Sequence, residues 1–208
     1  MASVELSNGY FDVRANIGDE PLFRVIRGDY VRHGRSLFDP AFVSLMIHRY
    51  GRWAIHRKIP VAKWFASKVY GFLKVFILNV TKIWIPPQVV LGKDFHIIHA
   101  EGMLSIHPSV VIGDRCGVMH NVTIGTNMGS GAPIIGDDVF IGVNSSVLGN
   151  IRIGDRVNIG ANTAVTTNVP SDSTVIGSPA RIFPRLTPFG SAGPEPRANP
   201  NTPDPVEP

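Results

Sequence analysis

The sequence predicts a mainly β fold, in which a parallel β-helix follows an N-terminal α-helical region and precedes a disordered C-terminal tail. Three observations predict it: apolar residues at helical spacing, a period of six residues in the second half, and a Pro-rich end with almost no aliphatic residues. The expected division is a helical region over 1–84, a repeat domain over 85–183 and the tail over 184–208.

Composition limits the classes of protein that fit. A chain of 208 residues with 44% hydrophobic residues is long enough for one main core. Its net charge of +4 is scattered, which fits a protein that handles an anionic cofactor as well as one that contacts lipid headgroups or nucleic acid, so the charge alone decides nothing. No nucleic acid partner is expected. The single cysteine, Cys116, excludes an internal disulfide and is expected in the core. The N-terminus lacks a signal-peptide pattern, so we expect a cytoplasmic protein.

The region from about 41 to 82 is predicted to form two helices that are broken near Pro60. Its apolar run over 69–85 contains two lysines and an asparagine and is too short to span a bilayer. The lysines and tryptophans are compatible with peripheral contact at the inner face of a membrane. The simpler expectation is that the apolar face packs against the rest of the protein or a neighbouring subunit.

The period of six after Pro87 predicts the β-helix. An aliphatic residue opens each unit, often followed by Gly, so that the opening side chain points into a shared core and the next residues form a corner. The openers are Ile112, Val118, Ile124, Ile135, Ile141, Val147, Ile153, Ile159 and Val165, and the same phase carried backward gives Ile85, Leu91 and Ile97.

Two irregularities interrupt this phase, and both flank histidines. Three extra residues separate the unit opened by Ile97 from that opened by Ile106, within "GMLSI". Five extra residues between Ile124 and Ile135 place "TNMGSGAP" in a Gly-rich loop.

The register brings two histidines to one corner edge. His99 and His120 are each the third residue of a unit, and their units lie three steps, or one coil, apart. Adjacent coils bring their backbones to roughly 4.7–4.9 Å. His96, at an outward strand position, and His107, at a corner slot, are expected to be structural.

From Ile85 to Phe183 the chain resembles the hexapeptide-repeat acyltransferases, and within them the serine acetyltransferase branch. The motifs are "IIHAEG" at 97–102, "NVTIG" at 121–125 and "IGSPARI" at 176–182, with "FDPAF" at 38–42 similar to a serine-binding stretch. The resemblance implies a left-handed β-helix, a homotrimer or dimer of trimers, and acetyl-CoA as co-substrate without a metal.

The resemblance also implies roles for individual residues. His99 is expected to be the general base that removes a proton from the acceptor hydroxyl, with His120 and Glu101 as supporting catalytic residues. The expected contacts to acetyl-CoA come from Gly142, Gly160, Ala161 and Arg181, and Asp39 is the candidate acceptor-binding residue.

Departures from the branch bear on the small-molecule acceptor. Ile98 replaces an Asp before the catalytic His, and Ala132-Pro133 replaces a His-Pro that contacts serine. Because free serine needs partners for two charges and a sugar hydroxyl needs none, the sequence favours a sugar or exopolysaccharide precursor. The short helical region also resembles relatives encoded for polysaccharide synthesis. L-Serine is the alternative acceptor.

Two other classes remain open at this point. Histidines on a hexapeptide β-helix can bind zinc, as in γ-class carbonic anhydrases, but the register supplies no third histidine near His99 and His120. A non-catalytic β-helix scaffold is the second.

Overall fold

The computed structural model describes residues 21–57, 59–129 and 131–185. Three helices come first: α1 (Leu22–Arg32), α2 (Pro40–Ile55) and α3 (Pro60–Phe76), with a π-helical turn at Ile77–Thr81. Fifteen short strands follow: β1 (Ile83–Trp84), β2 (Val90–Leu91), β3 (His96–Ile97), β4 (Leu104–Ile106), β5 (Val111–Ile112), β6 (Gly117–Val118), β7 (Val122–Gly125), β8 (Ile134–Ile135), β9 (Phe140–Ile141), β10 (Ser146–Leu148), β11 (Arg152–Ile153), β12 (Asn158–Ile159), β13 (Ala164–Val165), β14 (Ser173–Ile176) and β15 (Arg181–Pro184).

The strands form a parallel solenoid with three faces, which confirms the predicted fold class. One face has the order β1-β4-β7-β10-β13, the second β11-β8-β5-β2 and the third β15-β14-β12-β9-β6-β3. Successive coils therefore add one strand to each face, and only β15 pairs antiparallel, with β14. A period of six produces this arrangement because each short strand is followed at once by a corner.

The core of the solenoid is the column of aliphatic residues that open the units. All of the predicted openers, including Ile106, are at most 4% exposed and belong to one cluster. Burying one such side chain contributes about 1.5–3 kcal/mol. Cys116 lies in the same cluster, and burial raises the pKa of its thiol to about 12, so it is a core residue.

Left-handed backbone forms the corners. The fourth residue of most units has φ between 52° and 58°, at Asp94, Arg115, Asn121, Asp138, Asn144, Arg156, Asn162 and Asp172. Asn and Asp tolerate this conformation better than most residues. Neighbouring corners are joined by side chains, as where Nε and Nη2 of Arg115 donate to the carboxylate of Asp138 at 2.8 and 2.6 Å.

The helical region has one helix more than the sequence predicts. The break near Pro60 is present, since α2 ends at Ile55 and Pro60 stands in the first turn of α3. Helix α1 does not follow from the apolar spacing because the buried residue of its inward face, Asp29, is polar, and so is the buried C-cap residue, His33.

Helix α3 leaves most of its apolar residues outside the core of the protomer, so they do not pack against the same chain. Its inward side contacts α2, where Ala66 is 8% exposed and its carbonyl accepts a bond from the Tyr50 hydroxyl at 3.3 Å. The opposite side of α3 remains exposed on the protomer. Packing of this face against a neighbouring subunit stays a prediction.

The end of the described chain is a strand. Pro184, the first residue of the predicted tail, belongs to β15, and the Arg185 amide donates to the Asp172 carbonyl at 2.8 Å. Residues 186–208, on which the rest of that prediction falls, lie outside the described residues. Across the described ranges, none of the helices combines the length and apolar character required to cross a bilayer.

A buried histidine joins α2 to the first coil. His48 is fully buried, and its Nδ1 donates to the carbonyls of Ile85 and Pro86 at 3.3 and 3.1 Å. Burial, with a smaller effect from Arg49, lowers the pKa of His48 to about 3. The imidazole is therefore neutral in the folded protein at neutral pH.

This burial makes stability sensitive to acid. Below its ordinary pKa of 6.5, His48 binds a proton in the unfolded chain but stays neutral in the folded chain until about pH 3. As the pH falls from 6.5 to about 3, we therefore expect the free energy of unfolding to decrease by up to about 1.4 kcal/mol per pH unit. Urea unfolding at several pH values should show a weaker pH dependence for His48→Gln. The control is the exposed His56→Gln; if both variants keep the wild-type pH dependence, His48 is not the source.

Candidate active site

His99 occupies a corner that is displaced from those of other coils. Its φ is 60°, and it is the third residue of its unit, whereas in the next coil the left-handed residue is Asn121, the fourth residue and one place after His120. The displacement coincides with the three extra residues before Ile106. As a result the imidazole of His99 is exposed at the corner.

The two histidines of the predicted edge are neighbours. Ile97 pairs with Val118, and the ring centroids of His99 and His120 are 6.3 Å apart at an interplanar angle of 73°. His120 is half-buried, and its Nδ1 is enclosed without a hydrogen-bond partner among the described residues. An enclosed polar atom of this kind is normally satisfied by water or a ligand.

The extra residues after His99 fold back onto the next coil. The Met103 amide donates to Oδ1 of Asn121 at 3.1 Å. Gly102 has φ of 134°, and a Cβ there would lie 2.7 Å from Oδ1 of Asn121 and 3.0 Å from Cβ of His120. Glycine at 102 is therefore required both by the backbone conformation and by the close approach.

A cavity of about 500 Å³ opens beside His99. The turn between α1 and α2 contributes Arg32, His33 and Asp39 to its lining, and the coil contributes His96, His99 and Glu101. Three of the predicted site residues, His99, Glu101 and Asp39, are thus brought to one cavity although 62 positions separate Asp39 from Glu101.

Asp39 is held in place as the N-cap of α2. Its Oδ1 accepts bonds from the amides of Ala41 and Phe42 at 2.7 and 3.0 Å. Both cap bonds end on the same oxygen, so Oδ2 is the atom with remaining capacity to accept a bond.

A buried ion pair anchors α1 and α2 to the coil that carries the histidines. Nε of Arg49 donates to Oδ2 of Asp29 at 2.9 Å, and the side chains of both residues are at most 6% exposed. Two further bonds of 2.6 Å run from Arg49 to the carbonyls of Leu91 and Gly92. The pair therefore connects α2, α1 and the end of β2.

His33 and His96 line the cavity, and His33 makes a second link between α1 and the coil. His33 donates from Nδ1 to the Asp29 carbonyl at 2.7 Å and accepts at Nε2 from the Ile97 amide at 3.2 Å, so both ring nitrogens are used. The His96 ring lies 5.1 Å from that of His33. Burial, with smaller effects from His33 and Arg32, lowers the pKa of His96 to about 4. His96 is half-buried under α1, where the sequence predicted an outward position.

The remaining predicted site residues lie outside this cavity. Ala161 takes the same unit position as His99 and His120, three coils from His99, as the pairs of Ile97 with Val118, Val118 with Ile141 and Ile141 with Ile159 show. Gly142 and Gly160 stand one place earlier in their units, and Arg181 begins β15 and is exposed.

Packing between coils already explains glycine at two of these positions. A Cβ at Gly142 would lie 2.7 Å from the Ala161 amide, and one at Gly160 would lie 2.8 Å from Cγ2 of Ile176.

His107 is half-buried at a corner, where its Nδ1 accepts a bond from the Ser109 amide at 3.3 Å. Within the described ranges, no three His, Cys, Asp or Glu side chains are grouped so that they could hold a metal ion.

Sequence reasoning missed two lining residues, Arg32 and His33. Both belong to the C-terminal end of α1, and that helix was not predicted. Apolar residues at 22, 25 and 26 and a basic residue in the last turn were the available signals.

Comparisons with known proteins agree with this geometry. A model of the bacterial transferase hexapeptide (six repeats) matches residues 132–167. A serine acetyltransferase of Synechococcus elongatus is 35% identical over 170 residues, which are 78% of this chain and 66% of that protein. The chain spans less than two thirds of the length of the first curated relatives, from 66% for the one from Synechococcus elongatus down to 31% for one from Arabidopsis thaliana.

Solved structures give the same result. Soybean serine acetyltransferase complexed with serine has a TM-score of 0.64 and 30% identity, over 78% of this chain and 69% of that one. A serine acetyltransferase of Brucella abortus in complex with coenzyme A has a TM-score of 0.65 and 27% identity, over 80% and 69% of the two chains.

Proposed function

Because the chain belongs to the serine acetyltransferase family of hexapeptide-repeat transferases, we propose that it transfers the acetyl group of acetyl-CoA to the hydroxyl of L-serine. The observation that carries the proposal is the cavity that His99, Asp39 and Arg32 line together. The sequence favoured a sugar acceptor; the relatives support its alternative, L-serine, and give no support to a sugar.

His99 performs the proton transfer in this proposal. An alcohol is a weak nucleophile at neutral pH, so a positioned base must remove its proton while the oxygen attacks the thioester carbonyl. A ring nitrogen of His99 takes that proton as a new C–O bond forms. The C–S bond then breaks, and the proton passes from His99 to the leaving sulfur, which gives O-acetylserine, the free thiol of coenzyme A and a neutral His99. His120 packs against the His99 ring and limits its orientation.

The two charged residues of the cavity match a free amino acid. Oδ2 of Asp39 can accept a bond from the serine ammonium, and Arg32 can pair with the carboxylate. Arg32 would then supply the partner that is missing at Ala132. A sugar offers neither an ammonium to Asp39 nor a carboxylate to Arg32, which is why the cavity favours an amino acid.

The corner edge from His99 to Ala161 offers a path for acetyl-CoA. Three coil steps span roughly 14 Å at the spacing of neighbouring strands, which is comparable to an extended pantetheine arm. Gly142 and Gly160 flank this path without side chains. We further propose a homotrimer in which a neighbouring protomer covers the edge, where Met103 is 59% exposed.

An acceptor panel tests the proposed function directly. Release of the coenzyme A thiol is measured with L-serine, L-serinamide, N-acetylserine and a set of sugars and nucleotide sugars. We expect L-serine to give the highest kcat/KM, because it alone carries both charges. A sugar that outperforms L-serine would reverse the choice of acceptor but keep the role of His99.

Removing the charge of Arg32 should raise the KM for L-serine. A hydrogen bond to a charged group contributes about 1.5–3 kcal/mol, so we expect Arg32→Gln to raise this KM roughly 10- to 100-fold. The KM for acetyl-CoA and the turnover of L-serinamide should change little. Arg27→Gln, on an exposed part of α1 outside the cavity, is the matched control. An unchanged KM for L-serine in Arg32→Gln would remove Arg32 from the acceptor site.

A further inference from the structure

One side of α3 presents a continuous apolar surface. Its members share the spacing i, i+3, i+4, i+8, i+11 and i+14 and are each at least 50% exposed: Val61, Trp64, Phe65, Val69, Phe72 and Val75. We call this set the α3 face. Exposed apolar surface of this extent usually marks an interaction site.

Lysines accompany the α3 face. Nζ of Lys68 lies 5.7 Å from the Trp64 ring centroid, within the face, and Nζ of Lys74 lies 4.8 Å from the ring of Trp84. Long lysine side chains can place their charge beyond an apolar surface while the methylene groups stay on it. Tryptophan and lysine together are typical of the boundary between lipid tails and headgroups.

The charge around this helix has one sign. Between Asp39 and Asp94 the sequence contains no Asp or Glu, but it contains eight Lys and Arg residues besides Arg49, which is paired with Asp29. The side of the helical region around α3 is therefore positive, whereas the corners of the β-helix carry paired acids and bases such as Arg115 and Asp138.

We propose that the α3 face docks on an anionic lipid surface, with α3 lying in the plane of the headgroups. The apolar side chains would insert at the boundary of the acyl chains, and the lysines would pair with lipid phosphates. The helix would lie on the bilayer, since no helix in the described ranges qualifies as a membrane span.

A second copy of the chain is the competing occupant, and the charges disfavour it. A two-fold contact places the same face against itself, so Lys68 would approach its own copy. The 40–93 segment has no carboxylate that could neutralise the pair. An anionic bilayer supplies that countercharge.

Vesicle flotation of the full chain tests this proposal. The vesicles contain phosphatidylcholine alone or with about a third phosphatidylglycerol. We expect binding only with the anionic lipid, weaker binding at high salt, and a loss of roughly fivefold in affinity in each of Lys63→Gln and Lys68→Gln. Phe65→Ser/Phe72→Ser should lose most of the binding, and all variants should keep wild-type acetyl transfer.

The control replaces an exposed aromatic residue on another helix, as Phe23→Ser, where Phe23 is 78% exposed. Equal binding to both vesicle types, or no binding, would overturn the proposal. So would a change of oligomeric state by light scattering in Phe65→Ser/Phe72→Ser, which would assign the α3 face to a second copy. Because acetyl transfer is read separately, failure here leaves the proposed activity in place.

Discussion

Replacing His99 with Ala is expected to lower kcat with L-serine roughly 10²- to 10⁴-fold, the usual contribution of a general base. The residue is exposed at a displaced corner, so its loss should cost little stability. Binding of acetyl-CoA, measured by titration, should be nearly unchanged, because the proposed contacts Gly142, Gly160 and Ala161 lie on other coils than His99. Steady-state thiol release with saturating acetyl-CoA measures kcat.

Three other histidine variants separate catalysis from structure. His120→Ala should lower kcat less than His99→Ala does, since it removes only a ring that packs on the base and leaves the base in place. His107→Ala and His96→Ala should lower thermal stability more than they lower kcat. His107 accepts a hydrogen bond from the Ser109 amide in its own corner, and His96 packs against His33 at the end of α1. Near-normal turnover by His99→Ala would make His120 the next candidate for the base.

The second large effect concerns stability. Arg49→Met leaves the carboxylate of Asp29 buried without its cation and removes the donors to the carbonyls of Leu91 and Gly92. Breaking a buried ion pair in this way costs about 3–5 kcal/mol. Urea unfolding at neutral pH measures the loss, and the KM for L-serine should rise in the folded fraction because α1 and Asp39 lose their anchor.

An exposed ion pair is the matched control. Arg115 and Asp138 form an equally direct pair at a corner, but the side chain of Arg115 is 47% exposed. Arg115→Met should therefore lower stability by less than about 1 kcal/mol. If Arg49→Met is no more destabilising than Arg115→Met, the buried pair is not the anchor we describe.

The placement of His99 and His120 on one edge could be predicted from the repeat period alone. A β-helix relates residues by a fixed number of units, so the position of an opener determines which residues stack in the next coil. His99 and His120 could be assigned to one edge because Ile97 and Val118 differ by one coil. The role of each ring still depends on what else faces it.

The acceptor cavity could not be predicted in this way. Asp39 was identified from a resemblance, but Arg32 and His33 were not. They lie at the C-terminal end of α1, and the sequence does not predict that helix because its buried residue, Asp29, is polar. The three extra residues before Ile106 were visible in the sequence. Their consequence could not be read from the sequence: the left-handed corner residue of this coil is His99 itself.

By itself, the sequence determined the solenoid, its core and the shared edge of His99 and His120, because these follow from a short repeat whose contacts are set by local spacing. Only the tertiary structure decided which charged side chains, Arg32 and Asp39, line the cavity beside His99, the proposed general base. Arg32 and Asp39 reach the cavity because Arg49, Asp29 and His33 bind the helices to a coil some 40 to 60 residues away. Such contacts join groups with no common period, so their partners are fixed by packing and hydrogen-bond satisfaction in the folded chain.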